Sequence, residues 1–406
     1  MYKNITGMKD IMPKEIIKWH FVENNIKKTF ENYNYKEVRT PVLEFTALFK
    51  RGVGEDTDIV EKEMYTFNDR NGKSLSLRPE GTASTVRAYV QSKEYANTPL
   101  TKYYYIGEMY RHERPQKGRY RAFNQVGAEF FGASSPASDL EIIQMIDDLL
   151  KSIKLKDYTI FINSIGCGDC RPGHKQALID FFTPYKEELC SDCQRRLNTN
   201  PMRIIDCKVE SCKKIVENSP KMSEYYCNSC STHNNTLLSL MKNTDIPYKV
   251  DEKIVRGLDY YVKTTFEVRV SGDILGSQNT IIGGGRYNHL VKELGGPSVE
   301  AIGFGIGMER VIMSLTEEVK EKPLDYVVII LGEKALAPSL KIVHDLRKEN
   351  FSVDVDYRLG SLKSQMRWAN KRNAQKVIIV GEQEIENKEY IEKDMLTSEQ
   401  IKKPFN

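Results

Sequence analysis

An arginine, an aromatic ring, an amide and a carboxylate recur at every second position or so in RAFNQVGAE, from Arg121 to Glu129. Side chains alternate across an extended strand, so Arg121, Phe123, Gln125, Gly127 and Glu129 share one face. The other face carries Ala122, Val126, Ala128 and Phe130, with Asn124 its one polar member. Just upstream, Arg111, Arg114, Lys117, Arg119 and Arg121 crowd a loop in which Glu113 is the only acid. A polar face of this kind adds nothing to stability, and Gly127 clears room between two polar side chains. The pattern predicts a strand, a basic loop and a second strand bearing a site for an anionic ligand. A solvated hairpin is the plainer alternative.

Three further segments offer chemistry. RGLDYY, from Arg256 to Tyr261, brings a cation, a carboxylate and two phenols ahead of a strand. GGGRY, from Gly283 to Tyr287, reads as a flexible turn before a helix, suited to close approach of backbone to ligand. In AIGFGIGMER, Gly303, Gly305 and Gly307 share one strand face opposite Phe304 and Ile306. That leaves a flat platform for a planar base, ending in Arg310 at a helix start, where a guanidinium can clamp the base or its phosphates. These glycines are not a dinucleotide fingerprint, because no early βαβ unit with an acid about 20 positions on accompanies them. Tight helix–strand packing is their alternative reading.

The elements that must hold these residues are visible in the periodicity. Pro13 opens a helix whose Ile16, Trp19, Val22, Ile26 and Phe30 form one apolar stripe. Extended chain follows through Val38, Pro41 and Leu43, where the proline implies an edge or interface strand. Leu75 and Leu77 lead into a turn, Arg78 to Thr82, that enters a helix through Val86 and Tyr89. Strand patterns return at 264–270, 280–282 and 301–306. After the charged linker EEVKEKP (Glu317 to Pro323), strands and helices alternate: YVVIILG, a helix over 336–349, FSVDVDY, a helix over 362–372, then KVIIVGE. Short apolar strands separated by helices imply a small α/β domain.

The 406 residues are too many for one core and suit two or three domains. We divide them into a domain over 1–322, a cysteine-bearing insertion within it over 167–245, and a C-terminal domain over 323–406. A net charge of +4 is only mildly basic, so nucleic-acid contact must come from local patches. Six basic residues and no acid lie from Arg358 to Lys376, with Lys363, Arg367 and Lys371 four apart on one helix face, away from Leu362, Met366 and Ala369. A solvated charged face is the default for such a run. No apolar run approaches the roughly 18 residues of a membrane span. The N-terminal segment lacks a signal-peptide stretch, and the expected location is the cytoplasm. All eight cysteines lie between Cys167 and Cys230, which in a reducing compartment is not a disulfide framework. Cys167/Cys170, Cys190/Cys193 and Cys227/Cys230 are C-x-x-C pairs, with Cys207 and Cys212 a looser fourth. Together they could supply two four-thiolate zinc sites, the first two pairs having ribbon-like spacing; buried free thiols are the alternative.

Taken together, the segments resemble the histidyl-tRNA synthetase family of class II aminoacyl-tRNA synthetases. The resemblance is carried by YNYKEVRTPVLE, LFKRGVGEDTDIVEKEMY, LRPEGTASTVRAYV, YIGEMYRHERPQKGRYRAFNQVGAEFFG, VRGLDYYVKTTFEV, GGGRYNHLVKELGG and AIGFGIGMERV. It implies an α+β catalytic domain with an antiparallel sheet flanked by helices, a helical inserted domain and a C-terminal α/β anticodon-binding domain. It also implies a homodimer built through the first of these segments. The implied reaction joins histidine to ATP as histidyl-adenylate, then passes the histidyl group to the 3′ end of the histidine tRNA. By that resemblance Arg111 and Arg256 are catalytic, acting on the α-phosphate and the substrate carboxylate. Glu80, Gly81, Thr82, Gln125, Glu129, Tyr260, Tyr261 and Tyr287 form the histidine pocket, with Glu129 and Tyr261 on the imidazole. Glu113, Arg119, Phe123 and Arg310, with Arg111, take ATP and its Mg²⁺. Gln116, Lys363, Arg367 and Lys371 contact tRNA, Gln116 at the extra 5′ nucleotide. Asn288 and His289 depart from the family's usual Asp-Gly, and relatives with few or no cysteines imply that metal is not required for activity. The nearest rival is a non-catalytic paralogue, the histidine-sensing regulatory subunit of ATP phosphoribosyltransferase, which lacks the anticodon domain.

Overall fold

Alternating strands of the opening segment and its partners build one wide sheet. The computed structural model describes residues 2–54, 57–272, 274–276 and 279–405; Glu55 and Asp56 of the LFKRGVGEDTDIVEKEMY segment lie outside them. The chain divides into two units, Met1–Glu318 and Val319–Asn406.

The strands of the first unit are β1 (Lys36–Glu37), β2 (Leu43–Phe45), β3 (Thr66–Asn68), β4 (Ser74–Leu77), β5 (Thr101–Tyr110), β6 (Ala122–Phe131), β7 (Tyr158–Ser164), β8 (Tyr248–Val250), β9 (Val262–Val270), β10 (Thr280–Arg286) and β11 (Ala301–Gly307). Eight of them form a sheet in the order β1-β5-β6-β11-β10-β9-β7-β8. It is antiparallel through the middle, and parallel only where β1 meets β5 and β7 meets β8. One face packs on helices Pro13–Asn32 and Pro136–Ser152 through Trp19, Val22, Ile26, Phe30, Ile142 and Ile146. The apolar stripe read from the first helix is thus its core contact. Of that stripe Ile16 alone is only partly buried. On the other face lie the polar members of β6 and the helix Thr82–Ser92. β2, β4 and β3 make a separate small antiparallel sheet with β4 in the middle, so the strand after Pro41 is an edge.

GGGRY is not the expected turn. Gly283 to Arg286 complete β10, paired on one side with β11 and on the other with β9. The glycines are needed for clearance: a Cβ on Gly283 would lie 2.2 Å from an Arg256 nitrogen, and one on Gly284 would meet Phe304 and Phe266. Arg286 points away from the ligand face and is fully buried. Its Nη2 pairs with Asp139 Oδ1 at 2.5 Å and donates to Ser135 O and Ser138 Oγ. Asp139 Oδ2 meets His233 Nε2 at 2.7 Å and accepts from Thr264 Oγ1 at 2.6 Å. This buried network ties the insertion's helix Asn228–Met241 to β9 and β10. Removing one partner would strand a buried charge, at a cost of roughly 3–5 kcal/mol.

The insertion is helical, with helices Arg171–Phe182, Ser191–Thr199, Glu210–Val216 and Asn228–Met241. It has a small core of its own around Leu178, Phe182, Leu197, Ile204 and Val216.

The second unit holds β12 (Tyr326–Ile330), β13 (Val353–Val355), β14 (Lys376–Val380), β15 (Glu389–Asp394) and β16 (Gln400–Pro404) in the order β13-β12-β14-β15-β16. The first three are parallel and joined by helices Leu336–Lys348 and Leu362–Lys371. β15 and β16 add an antiparallel hairpin with no counterpart in the sequence reading. Lys363, Arg367 and Lys371 are exposed and have no ion pair among the described residues, whereas Arg358, Arg372 and Lys376 are paired to Asp356, Asp354 and Glu392. Leu362, expected on the apolar side, is exposed.

Candidate active site

Strand register sets the floor of the site. Gln125 pairs with Gly307 and Gly107, Gly127 with Gly305 and Tyr105, Glu129 with Gly303 and Tyr103. Gln125 and Glu129 therefore each have a glycine of β11 beside them, and the glycines make room: a Cβ on Gly305 would meet Gln125 and one on Gly303 would meet Glu129. A cavity of about 240 Å³ opens over this floor. Eleven of the residues singled out from sequence line it: Glu80, Thr82, Arg111, Glu113, Arg119, Phe123, Gln125, Arg256, Tyr260, Tyr261 and Arg310. They come from segments up to 230 positions apart (80 to 310), so only the sheet order brings them together.

Four arginines define the charge. Arg111 donates from Nε to Pro79 O at 2.8 Å and lies over the Phe123 ring at 5.3 Å. Arg119 pairs with Glu113, and Arg111 Nη1 is 3.7 Å from the same carboxylate. Arg310 is aimed by two carbonyls, Gly118 O and Thr280 O, each at 2.8 Å. Burial, then the charges of Arg119 and Arg111, push its guanidinium down to about 10, which leaves it charged at neutral pH. Arg256 lies against the bare backbone of Gly283 and binds Glu267 at 2.6 Å. Burial opposes the Glu267 charge, but Arg256 and Arg269 outweigh it and hold that carboxyl below the usual range. Cations crowded in a low-dielectric cleft repel one another and gain most from an anion placed between them.

Next to the arginines lies a deeper polar end. Glu80 accepts from the backbone N–H groups of Thr82 and Ala83 at 2.7 and 2.8 Å, which seats it at the start of the helix Thr82–Ser92. Gly81 gives its N–H to Gln125 Oε1 at 3.0 Å; it has no room for a side chain, since the Tyr105 ring fills that space. Glu129 sits one layer behind the cavity wall and is fully buried. Thr82 Oγ1 donates to one of its oxygens at 2.8 Å and Tyr287 Oη to the other at 2.5 Å. Burial pushes the Glu129 carboxyl up to about 8, the two hydrogen bonds opposing the rise. Tyr260 and Tyr261 close the side, their ring centroids 4.6 Å apart, with Tyr260 5.6 Å from Tyr287. Tyr287 and Gly81 thus stand behind the cavity, Tyr287 bonded to Glu129 and Gly81 to the cavity-lining Gln125. Gln116 is exposed at the tip of the basic loop, in a bridge with Arg119.

Several contributors were not read from sequence, among them Glu309 of the cavity lining. Glu267, which anchors Arg256, could have been found from VKTTFEVRV, where it shares a strand face with Arg269 opposite Phe266 and Val268. Tyr105 fills the gap over Gly127 that was read as open space, with its phenol oxygen buried and unpartnered among the described residues. Arg195, Arg196 and Arg203 of the insertion line a second cavity of about 210 Å³ that shares Arg111, Glu113 and Arg119 with the first.

The thiols gather differently from the first-two-pairs grouping suggested by ribbon-like spacing. Cys167 and Cys170 join Cys227 and Cys230, while Cys190 and Cys193 join Cys207 and Cys212. The insertion's helices fold the chain back so that the first pair meets the third.

A family model for histidyl-tRNA synthetase matches residues 7–167 and 207–311, and one for an anticodon-binding domain matches 325–406. The histidine–tRNA ligase of Halothermothrix orenii is 44% identical over 399 residues, covering 97% of this chain and 95% of its own. The chain belongs to the histidyl-tRNA synthetase family. The ligase of Thermodesulfovibrio yellowstonii is 46% identical over 411 residues, covering 100% and 96%. Apo histidyl-tRNA synthetase of S. aureus superposes with a TM-score of 0.83 at 36% identity, over 100% of this chain and 97% of that one. A Bacillus halodurans structure titled ATP phosphoribosyltransferase regulatory subunit/histidyl-tRNA synthetase, at a TM-score of 0.64 and 20% identity over 94% and 98%, shares the fold. Members of this family use ATP and Mg²⁺. No helix among the described residues is long and apolar enough to cross a membrane.

Proposed function

We propose that the chain is a histidine–tRNA ligase in which Arg111 and Arg256 drive adenylate formation and Glu129 reads the imidazole. In the first step the carboxylate oxygen of histidine bonds to the α-phosphorus of ATP, and the bond from that phosphorus to the pyrophosphate oxygen breaks. The attacking group is already ionised, so the step needs alignment and charge neutralisation but no base. The convergence of Arg111 and Arg256 on one cavity with Glu80, Thr82 and Gln125 is the observation that carries this reading.

Glu80, Thr82 and Gln125 suit the α-ammonium group. Arg119 and Arg310 hold the outer phosphates, and the bare strand at Gly305 and Gly307 accepts the adenine beside Phe123. Glu113 keeps Arg111 and Arg119 in place. For Mg²⁺, which takes oxygen ligands from phosphates and one or two carboxylates, Glu309 fits best. It lines the cavity, and both bonds it accepts from Asn124 fall on Oε1. The ion would neutralise charge on the outer phosphates. Zinc is the ion that suits the two four-thiol groups of the insertion.

Exposed Val42, Leu43, Phe45 and Phe67 on and beside the small sheet support a homodimer through that surface. Reduced thiols in such number suit the cytoplasm. Histidine-dependent ATP–pyrophosphate exchange tests the enzyme reading. Exchange that histidine stimulates supports it; ATP and histidine binding without exchange would favour a sensing paralogue.

In the second unit, Lys363, Arg367 and Lys371 are the proposed tRNA contacts, with Gln116 at the 5′ end. Changing the three to alanine should raise the KM for tRNA and lower the salt slope of tRNA binding by about one per lost phosphate contact. Exchange, which needs no tRNA, is the reference. An unchanged salt slope would return these residues to a solvated face.

A further inference from the structure

We infer that the eight thiols form two separate zinc sites, and that the Cys167/Cys170/Cys227/Cys230 site positions the histidine pocket through Arg171. The inference rests on the zinc reading given above and adds the grouping and the role. A tetrahedral ion with Zn–S bonds of about 2.3 Å holds its sulfurs about 3.8 Å apart. Cys167 Sγ lies 3.7 Å from Cys170 Sγ and 3.9 Å from Cys227 Sγ, and Cys190 Sγ lies 3.8 Å from Cys207 Sγ. In each group all four sulfurs fall within 4.8 Å of one another. That is far longer than a disulfide of about 2.05 Å, and too tight for a cube of several irons. Backbone N–H groups point at sulfur in both: Cys227 N–H to Cys170 Sγ at 3.1 Å, Cys190 N–H to Cys212 Sγ at 3.3 Å. Such donors favour thiolate ligands.

The first group is joined to the histidine pocket by short links. β7 runs into it through Gly166, at φ +64°, where a Cβ would strike Met222 and Cys170. Lys263 at the head of β9 exchanges backbone bonds with this turn: Ile165 N–H to Lys263 O at 2.8 Å, Lys263 N–H to Gly166 O at 2.7 Å. Arg171 directly follows Cys170. Its Nη2 donates to Tyr261 O and its Nε to Ile165 O at 3.3 Å. Tyr226, directly before Cys227, donates to Ser164 O at 2.8 Å. The four-thiol group therefore anchors Arg171, which bonds the Tyr261 carbonyl, and Tyr226, which bonds the end of β7. The second group lies in the insertion's own core beside Leu178, Phe182 and Leu197.

The test has two arms on the full-length protein, purified without chelator. Metal analysis should find two zinc ions per chain, falling to one in Cys230→Ser and in Cys212→Ser. Fewer than one, or iron in place of zinc, overturns the zinc reading; one ion overturns the two-site grouping. Arg171→Ala should keep both ions while raising the KM for histidine in the exchange reaction by about tenfold or more, with the KM for ATP within about twofold. Arg171→Lys, which keeps the charge but not the two-carbonyl fork, should move histidine KM the same way by less and guards against a poorly folding alanine variant. Equal loss for histidine and ATP, or no loss in either variant at full zinc, overturns the positioning role. Absence of any exchange in the parent protein would instead fail the ligase reading.

Discussion

Arg256→His should slow histidyl-adenylate formation by about 10²–10³-fold, the usual cost of one transition-state charge donor, while ATP affinity should shift only a few-fold. The guanidinium is held ready before substrate arrives: Glu267 fixes Nη1 at 2.6 Å, and Gly283 leaves it no side chain to push against. An imidazole is shorter, cannot make the same fork, and carries little charge at neutral pH. Negative charge builds on the α-phosphate oxygens as the carboxylate attacks, so the loss falls on the chemical step. Single-turnover quench-flow with saturating ATP and histidine measures it. Equal losses in ATP affinity and in the rate would mean that Arg256 binds the ground state alone.

On the proposed role of Glu129, Glu129→Ala should remove histidine-dependent exchange, lowering its kcat/KM by at least about 10³-fold, because a site built to bond a ring nitrogen loses most of its discrimination with that partner. A substrate ring lacking those nitrogens would leave Glu129 bonded to Thr82 and Tyr287 alone, with none of its hydrogen-bonding capacity used on the ligand. Near-normal exchange in the variant would refute the assignment. Glu129→Gln separates this role from folding. Burial pushes the carboxyl up to about 8 in the folded protein, from an ordinary 4.5. Between those values the folded state holds a proton that the unfolded chain has released, so stability falls as pH rises towards 8. The glutamine variant has no such proton to lose. It should gain on the order of 3–5 kcal/mol relative to the parent between pH 5 and pH 9, read by denaturant titration at both pH values. A parallel pH dependence in parent and variant would place the titration elsewhere.

Several residues of the site were legible because they sit in local patterns, whereas Glu80 and Thr82 entered only through the family resemblance. Period-two alternation put Phe123, Gln125 and Glu129 on one face of β6, and a 3.6-residue stripe placed Trp19 to Phe30 in the core. Arg256, Tyr260 and Tyr261 stood out as a cation and two phenols gathered within six residues ahead of a strand. GGGRY was misread for a physical reason: glycine permits a turn, but here it permits close packing of Arg256 and Phe304 on a strand.

What the chain alone determined were the chemical types on each element and which face they share, since both follow from backbone periodicity within a few residues. What only tertiary structure decided were the partners across elements. Strand order put Gly303 beside Glu129 and Glu267 behind Arg256; helix return brought Cys167 to Cys227 and not to Cys190; burial raised the Glu129 carboxyl. Those contacts span sequence separations at which local propensity carries no information, and their energies depend on the dielectric that the finished core creates.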